Sequence, residues 1–304
     1  MTKLNTTVKI GSLELKNPVM TASGTFGYGL EFEEYLDLNS LGAIVVKGLS
    51  LKPQKGNKPQ RLVEVTGGII NAIGLQNIGV EVFINEKLPK LKKFKTPVIA
   101  NIYGTCAEEY IAVAAALANT AVAAVEVNIS CPNVKKGGIQ FASDKVVINE
   151  IITGIKKVFD RPVIIKLSPN TGNIEDIART CEEYGADAVS AINTLIGMAI
   201  DIEKREPVLS NIYGGLSGPA IKPVALAMVH KVSKAVNIPV IGIGGIMNEK
   251  DALEFLIAGA TAIQVGSANF VDPAAAGNVV KGINKYMKAN KIYEVKKIIK
   301  TLKY

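Results

Sequence analysis

Cysteine and histidine are scarce in this chain. Its 304 residues include three cysteines and one histidine. Cys106, Cys131 and Cys181 are too unevenly spaced for a zinc or iron–sulfur ligand set, and an odd, scattered set of thiols gives no disulfide framework. No metal site is expected. No apolar run approaches the ~20 residues of a bilayer-spanning helix, and residues 1–5 begin no signal-peptide core. The expectation is a cytoplasmic protein with no membrane segment. Hydrophobic residues make up 48% and charged residues 20%. That is an ordinary globular balance, and residues 1–304 are read as a single domain with a well-buried core.

Aromatic residues are also sparse where the positive charge is concentrated. The net charge is +8, with lysines crowded into 87–95 and 285–303. Nucleic-acid binding would pair such clusters with stacking platforms, yet Phe94 alone serves the first cluster. In the second, Lys296, Lys297, Lys300 and Lys303 alternate with Val295, Ile298, Ile299 and Leu302. That spacing predicts a solvated amphipathic helix, with attraction of small anions as a secondary effect and no nucleic-acid partner.

What the chain does have is a series of short apolar, β-rich runs. They fall at 18–21, 43–46, 98–100, 124–127, 163–165, 188–191, 240–243 and 262–265. Helical periodicity recurs between them at 108–119, 145–158, 174–184, 220–235 and 250–258. Alternating β and α with eight buried strands predicts a closed parallel (β/α)8 barrel, the TIM-barrel form of the α/β class. Thr7 to Ile10 and Leu13 to Leu15, joined by Gly11-Ser12, predict an N-terminal β-hairpin across the barrel bottom. His230 falls in the helical pattern at 220–235 and reads as structural, as do Cys106 and Cys181 in theirs.

Barrel chemistry sits at the C-terminal ends of the strands. In order, those ends carry Ser23, Lys47, Asn101, Asn128, Lys166, Asn193, Gly244-Gly245 and Gly266-Ser267. A single strand-end lysine usually snorkels to solvent. Two lysines and three asparagines converging on one mouth make a polar, cationic pocket. The glycine pairs after strands seven and eight bare backbone N–H groups where barrels commonly hold phosphate, and Gly214-Gly215 to Gly218-Pro219 adds a further glycine-rich turn. Glu126, the one charge in the fourth run, needs a partner inside the barrel or its jacket. Two long excursions, 50–79 and 194–221, leave the same face and read as lids or contact surfaces; the second holds strand-like runs at 198–202 and 207–209.

The most informative stretch is Val127-Asn128-Ile129-Ser130-Cys131-Pro132-Asn133, a buried strand opening into the loop Lys135-Lys136-Gly137-Gly138. It holds one thiol between two carboxamides. Carboxamides can bind the edge of a flat polar ring while the thiol addresses an atom on its face.

Asn128-Ile-Ser-Cys131-Pro-Asn133, Ala22-Ser-Gly-Thr-Phe-Gly27, Asn71-Ala-Ile-Gly-Leu75, Ile165-Lys-Leu-Ser-Pro169 and Ile243-Gly-Gly-Ile246 resemble class 1 dihydroorotate dehydrogenase. The resemblance covers essentially the whole chain. It implies an FMN-dependent (β/α)8 barrel that oxidises dihydroorotate to orotate in pyrimidine synthesis, with one FMN per chain. It implies Cys131 as the base for the C5 proton, as in the soluble class; the membrane-associated, quinone-linked class has serine there and an N-terminal extension. Lys47, Asn71, Ala72, Ile73, Gly74, Leu75, Asn128, Asn133, Asn193 and Thr194 are implied to hold the substrate's imide and carboxylate groups. Ser23, Lys47, Gly48, Asn101, Asn128 and Ile192 are implied along the flavin, and Lys166 near its pyrimidine end. Gly218, Gly244, Gly245, Gly266 and Ser267 are implied at its phosphate.

Within the class, Asn133-Val-Lys-Lys-Gly-Gly138 and Asn71-Ala-Ile-Gly-Leu-Gln-Asn77 resemble the NAD-linked heteromeric subclass. That implies a partner subunit carrying FAD and a [2Fe–2S] cluster, joined to a homodimer core of a heterotetramer. The chain has no early Gly-x-Gly-x-x-Gly after its first strand and no iron–sulfur cysteine cluster, so those groups are expected on the partner. Alternatives are the fumarate-dependent homodimeric subclass, a tRNA-dihydrouridine synthase, a dihydropyrimidine dehydrogenase-type activity on uracil, and a non-catalytic phosphate-binding barrel.

Overall fold

A computed structural model describes residues 4–130 and 144–303 of the chain. At its centre are the parallel strands Val19–Thr21, Ile44–Leu49, Val98–Ile102, Ala124–Asn128, Val163–Lys166, Ala188–Ala191, Val240–Ile243 and Ala262–Val265. From the second onward each pairs with the next, and the eighth returns to the first with Ile263 opposite Val19. The ring closes between the first two through a Met20–Ala43 bridge, where Thr21 Oγ1 accepts the Val45 N–H at 2.9 Å. This is the expected (β/α)8 barrel, and every strand falls on an expected run. The runs are predominantly apolar because each strand is covered on both faces, by the barrel interior and by the helical jacket.

The jacket helices Ala107–Leu117, Lys145–Val158, Ile174–Glu183, Lys222–Ala235 and Glu249–Ala258 lie where the periodicity predicts them. In Lys145–Val158 the buried residues Ile148, Ile151, Ile152 and Ile155 make one stripe facing the barrel. Starts are set by side-chain caps. Asp144 accepts the Val146 N–H at 2.9 Å, Asn173 that of Asp176 at 3.1 Å, and Asn248 that of Lys250 at 2.9 Å. Each such cap stabilises its helix by about 1 kcal/mol. His230 lies in its helix as expected, its Nδ1 at 3.1 Å from the Ala258 carbonyl oxygen. Cys106 stands just before a helix rather than within one, and Cys181 is buried in the helix Ile174–Glu183.

The hairpin forms from Val8–Ile10 and Leu13–Leu15 with Gly11 at φ 56° in its turn. A Cβ on Gly11 would stand 2.9 Å from that of Asp187, just ahead of the sixth strand. The hairpin therefore lies at the barrel bottom, away from the strand ends that carry the polar residues.

The C-terminal expectation fails. Residues 295–303 make no α-helix but a 3-10 turn, Val295–Lys297, followed by irregular chain. Tertiary pairing overrides the periodicity. Asn5 donates to the Tyr293 carbonyl at 2.8 Å, Val295 donates back to Asn5 at 2.9 Å, and Lys300 takes φ 59°. A jacket helix absent from the sequence reading, Ala275–Ala289, precedes this tail and buries Val279, Ile283 and Met287.

The two excursions form one structure. Gly68–Asn71 of the first pairs antiparallel with Tyr213–Ser217 of the second, and Leu62–Val65 and Leu195–Met198 flank them in a small sheet ordered Leu195, Tyr213, Gly68, Leu62. A second small ladder, Ile200–Asp201 with Glu206–Pro207, accounts for the strand-like runs further along. Gly214 and Gly215 lie inside a strand here, not in a turn. A Cβ on Gly215 would meet Thr194 Oγ1 at 2.0 Å, so glycine there permits close packing between lid strands.

Candidate active site

The strand ends bring the expected residues to one mouth in two groups. The first centres on Lys166, which is 6% exposed at the end of the fifth strand. Its Nζ donates to Ser23 Oγ at 3.2 Å and lies 3.9 Å from Glu126 Oε1. Asn101, also buried, donates to the same Glu126 oxygen at 2.7 Å. Its other amide atom faces Gly48, where a Cβ would come within 3.0 Å of Asn101 Oδ1. Ser23, Gly48, Asn101 and Lys166 therefore form one connected floor. Ile192, buried beyond the sixth strand, donates its backbone N–H to the Ile243 carbonyl at 3.0 Å.

The second group is the glycine rim. Gly218, Gly244 and Gly245 take φ of 105°, 131° and 70°, a region that side chains rarely adopt. A Cβ on Gly245 would lie 2.8 Å from the Gly218 carbonyl oxygen and 2.9 Å from the Lys222 backbone nitrogen. The loops of 218–222 and 244–245 thus pack so closely, with Lys222 Cβ 2.7 Å from the same point, that a side chain on Gly245 would not fit. Gly266 and Ser267 continue the rim from the eighth strand, beside Ala22 of the first. An anion seated there would meet backbone N–H groups.

Above the floor, Asn193 Nδ2 donates to Asn128 Oδ1 at 3.1 Å, and the Thr194 N–H donates to Asn193 Oδ1 at 2.8 Å. Asn71 donates across the lid to the Gly215 carbonyl at 3.1 Å, which is why a carboxamide stands among apolar neighbours there. Residues 71–75 are half-buried under the lid, with Gly74 and Leu75 both at positive φ, 72° and 57°. Cys131 and Asn133 lie outside the described residues.

Lys47, half-buried, has its ammonium pKa lowered, first by burial and then by the Arg61 guanidinium, with Glu31 opposing. Arg61 was not singled out in the sequence; it reaches in from the lid and donates to Gln76 Oε1 at 2.7 Å. Three further residues have roles that depend on chain crossings. Asn77 donates to the Leu75 carbonyl at 2.9 Å and to Tyr103 Oη at 2.8 Å, and accepts from the Gly79 N–H at 2.8 Å, tying down the 71–75 loop. Asn170 donates to the Thr194 carbonyl at 3.0 Å and so holds the root of the second lid. Tyr110 Oη donates to the Asn128 carbonyl at 2.8 Å. The Asn170 signal was within reach, since it directly follows the Lys166–Pro169 motif.

Fold and mouth together define a (β/α)8 barrel whose strand ends gather a glycine rim, a buried lysine and a cluster of carboxamides beneath a small lid sheet. The chain belongs to the dihydroorotate dehydrogenase family, whose model matches residues 5–287. It is 56% identical over 303 residues, 99% of each chain, to the dihydroorotate dehydrogenase B (NAD(+)) catalytic subunit of Geobacter sp. strain M21. The catalytic subunits of the same name from Geotalea daltonii and Desulforamulus reducens are each 56% identical. They align over 100% and 98% of both chains, respectively. Among the described residues no helix is long and apolar enough to cross a membrane.

Proposed function

We propose that this chain oxidises dihydroorotate to orotate in pyrimidine biosynthesis, as the FMN-binding catalytic subunit of an NAD-linked dihydroorotate dehydrogenase of the cytoplasm. The observation that carries the reading is the buried Lys166 ammonium, held between Ser23 and Glu126 at the floor of a mouth rimmed by Gly218, Gly244 and Gly245. That donor set suits a flavin nucleotide. The glycine rim offers backbone N–H groups unshielded by side chains of its own, as a phosphate dianion requires, and a fixed cation lies where a ring that gains negative charge on reduction can use it. FMN, when bound, supplies the acceptor for the two electrons and the hydrogen that leave C6 of the substrate.

The chain's own residues do the rest. Cys131 takes the proton from C5 as general base. Asn71, Asn128, Asn133, Asn193 and Thr194 match the donors and acceptors of the imide and carboxylate, which carboxamides can do from either end. Lys47 pairs with the carboxylate. Lys166, Ser23, Gly48 and Asn101 hold the ring. The 71–75 loop, anchored through Asn77, closes the pocket against water.

Lys47 gives the site a pH dependence whose sign follows from its burial. The lowered pKa means that the ammonium loses its charge at a lower pH than an exposed lysine does. Orotate binding should therefore weaken as pH rises through that lowered value, with Lys47 neutral above it. Orotate titrations across pH, followed by the flavin spectrum, should show the fall in the native chain. In Lys47→Arg, whose cation persists throughout, it should be absent.

Substrate comparison under anaerobic conditions tests the reading. Dihydroorotate should bleach the FMN of the purified chain, while dihydrouracil and dihydrouridine-containing tRNA should leave it oxidised. Bleaching by dihydrouridine tRNA, or RNA that co-purifies tightly, would instead favour the dihydrouridine synthase reading.

A further inference from the structure

Glu126 is wholly buried in the barrel interior, on the fourth strand, two residues before Asn128. Three donors from three other strands converge on its carboxylate: Asn101 Nδ2 on Oε1 at 2.7 Å, Ser190 Oγ on Oε2 at 2.9 Å, and Gln264 Nε2 on Oε2 at 2.5 Å. Two of the three are amide nitrogens, which can only donate, so both carboxylate oxygens accept. The Lys166 ammonium completes the ring at 3.9 Å. An ion buried this deeply persists only when it is paired and hydrogen-bonded. A purely structural position in this layer could carry an apolar side chain, since barrel interiors are commonly filled by Val, Ile and Leu.

We propose that Glu126 is a positioning residue for the flavin. It fixes the orientation of the Asn101 carboxamide against Gly48, and it partly neutralises Lys166. It thereby limits how strongly that lysine favours the reduced, anionic ring and holds down the reduction potential of the bound cofactor. This rests on the flavin reading of the mouth. The physical basis is that a carboxylate 3.9 Å from the ammonium, in a site closed to water, offsets much of the field the ammonium exerts on a neighbour.

Glu126→Gln is the informative variant, because the network can absorb it. Asn101 can still donate to the new amide oxygen. Gln264 Oε1, buried and without a hydrogen-bond partner among the described residues, becomes an acceptor for the new amide nitrogen once the Gln264 amide turns over. The hydroxyl of Ser190 can rotate. Charge is lost while volume and hydrogen bonding are kept.

In the FMN-loaded chain, the measurement is the ratio of reduced to oxidised FMN affinity, obtained from the midpoint potential in an anaerobic dye titration. Glu126→Gln should raise that ratio about tenfold, equivalent to a potential about 30 mV more positive for a two-electron couple. Glu126→Asp, which keeps the charge but draws it back, should shift the potential in the same direction by less, and serves if the glutamine variant does not fold. In a Lys166→Met background at saturating FMN, the Glu126→Gln shift should vanish. An unchanged potential in both single variants with FMN stoichiometrically bound, or a shift that survives removal of Lys166, would overturn the inference and leave the flavin reading intact. Native protein that takes up no FMN would remove both.

Discussion

Replacing Cys131 by alanine should leave FMN bound and slow the bleaching of the flavin by dihydroorotate about a hundredfold or more, the usual contribution of a positioned base. The size of the effect depends on there being no substitute base of the same kind. Cys181 is fully buried, and burial pushes its thiol far above the ordinary range. Cys106 is also raised, chiefly through its hydrogen bond with Glu108, and stands at the start of a jacket helix. Burial keeps Cys181 from the mouth, and the raised pKa of Cys106 makes its thiolate harder to form. Cys131→Ser should keep a small activity that rises toward alkaline pH, because a hydroxyl is far harder to deprotonate than a thiol. Stopped-flow anaerobic reduction measures both, and near-native bleaching in Cys131→Ala would remove that residue from the mechanism.

The second large effect concerns the electron acceptor. The FMN-loaded chain alone should reduce artificial dyes but fail to reduce NAD. Adding a subunit that carries FAD and a [2Fe–2S] cluster should bring NAD reduction up from background. The reason lies in what this chain can ligate. It has three cysteines and one histidine, with Cys106 just ahead of one jacket helix, Cys181 inside another and His230 of a third bound to a carbonyl. Among the described residues no thiolates converge for a cluster, and the sequence has no Gly-x-Gly-x-x-Gly turn after its first strand. The assembly proposed is a heterotetramer around a homodimer of this chain, checked by light scattering of the co-expressed subunits. Efficient NAD or fumarate turnover by the isolated chain would favour the homodimeric subclass instead.

Which parts of this were legible in the sequence follows from how local each signal is. The barrel strands are short apolar runs bounded by turns, and Lys47, Lys166 and Asn128 simply continue them, so their place at the mouth could be read from order alone. The partner of Glu126 could not. Asn101, Ser190 and Gln264 come from the third, sixth and eighth strands and meet only when the ring closes. The lid sheet was hidden for a related reason. Gly68–Asn71 and Tyr213–Ser217 are far apart in the chain and glycine-rich, so neither carries a strong strand pattern by itself. The tail 295–303 misled in the opposite direction. Its lysines alternate at helical spacing, yet Val295 pairs with Asn5 of the N-terminal segment and Lys300 and Leu302 donate to the carbonyls of Leu256 and Ile257, contacts that no local pattern encodes. The helix Ala275–Ala289 did carry a usable signal, with Val279, Ile283 and Met287 spaced by four.

The central claim is that this mouth, with FMN bound, is a dihydroorotate-oxidising site. The most direct test is an anaerobic single turnover of the FMN-loaded chain with limiting dihydroorotate, following flavin absorbance and orotate together. The account predicts one orotate formed per flavin bleached, with the yield unaffected by the absence of a partner subunit. A flavin that stays oxidised in the presence of dihydroorotate, or bleaching without orotate, would contradict it.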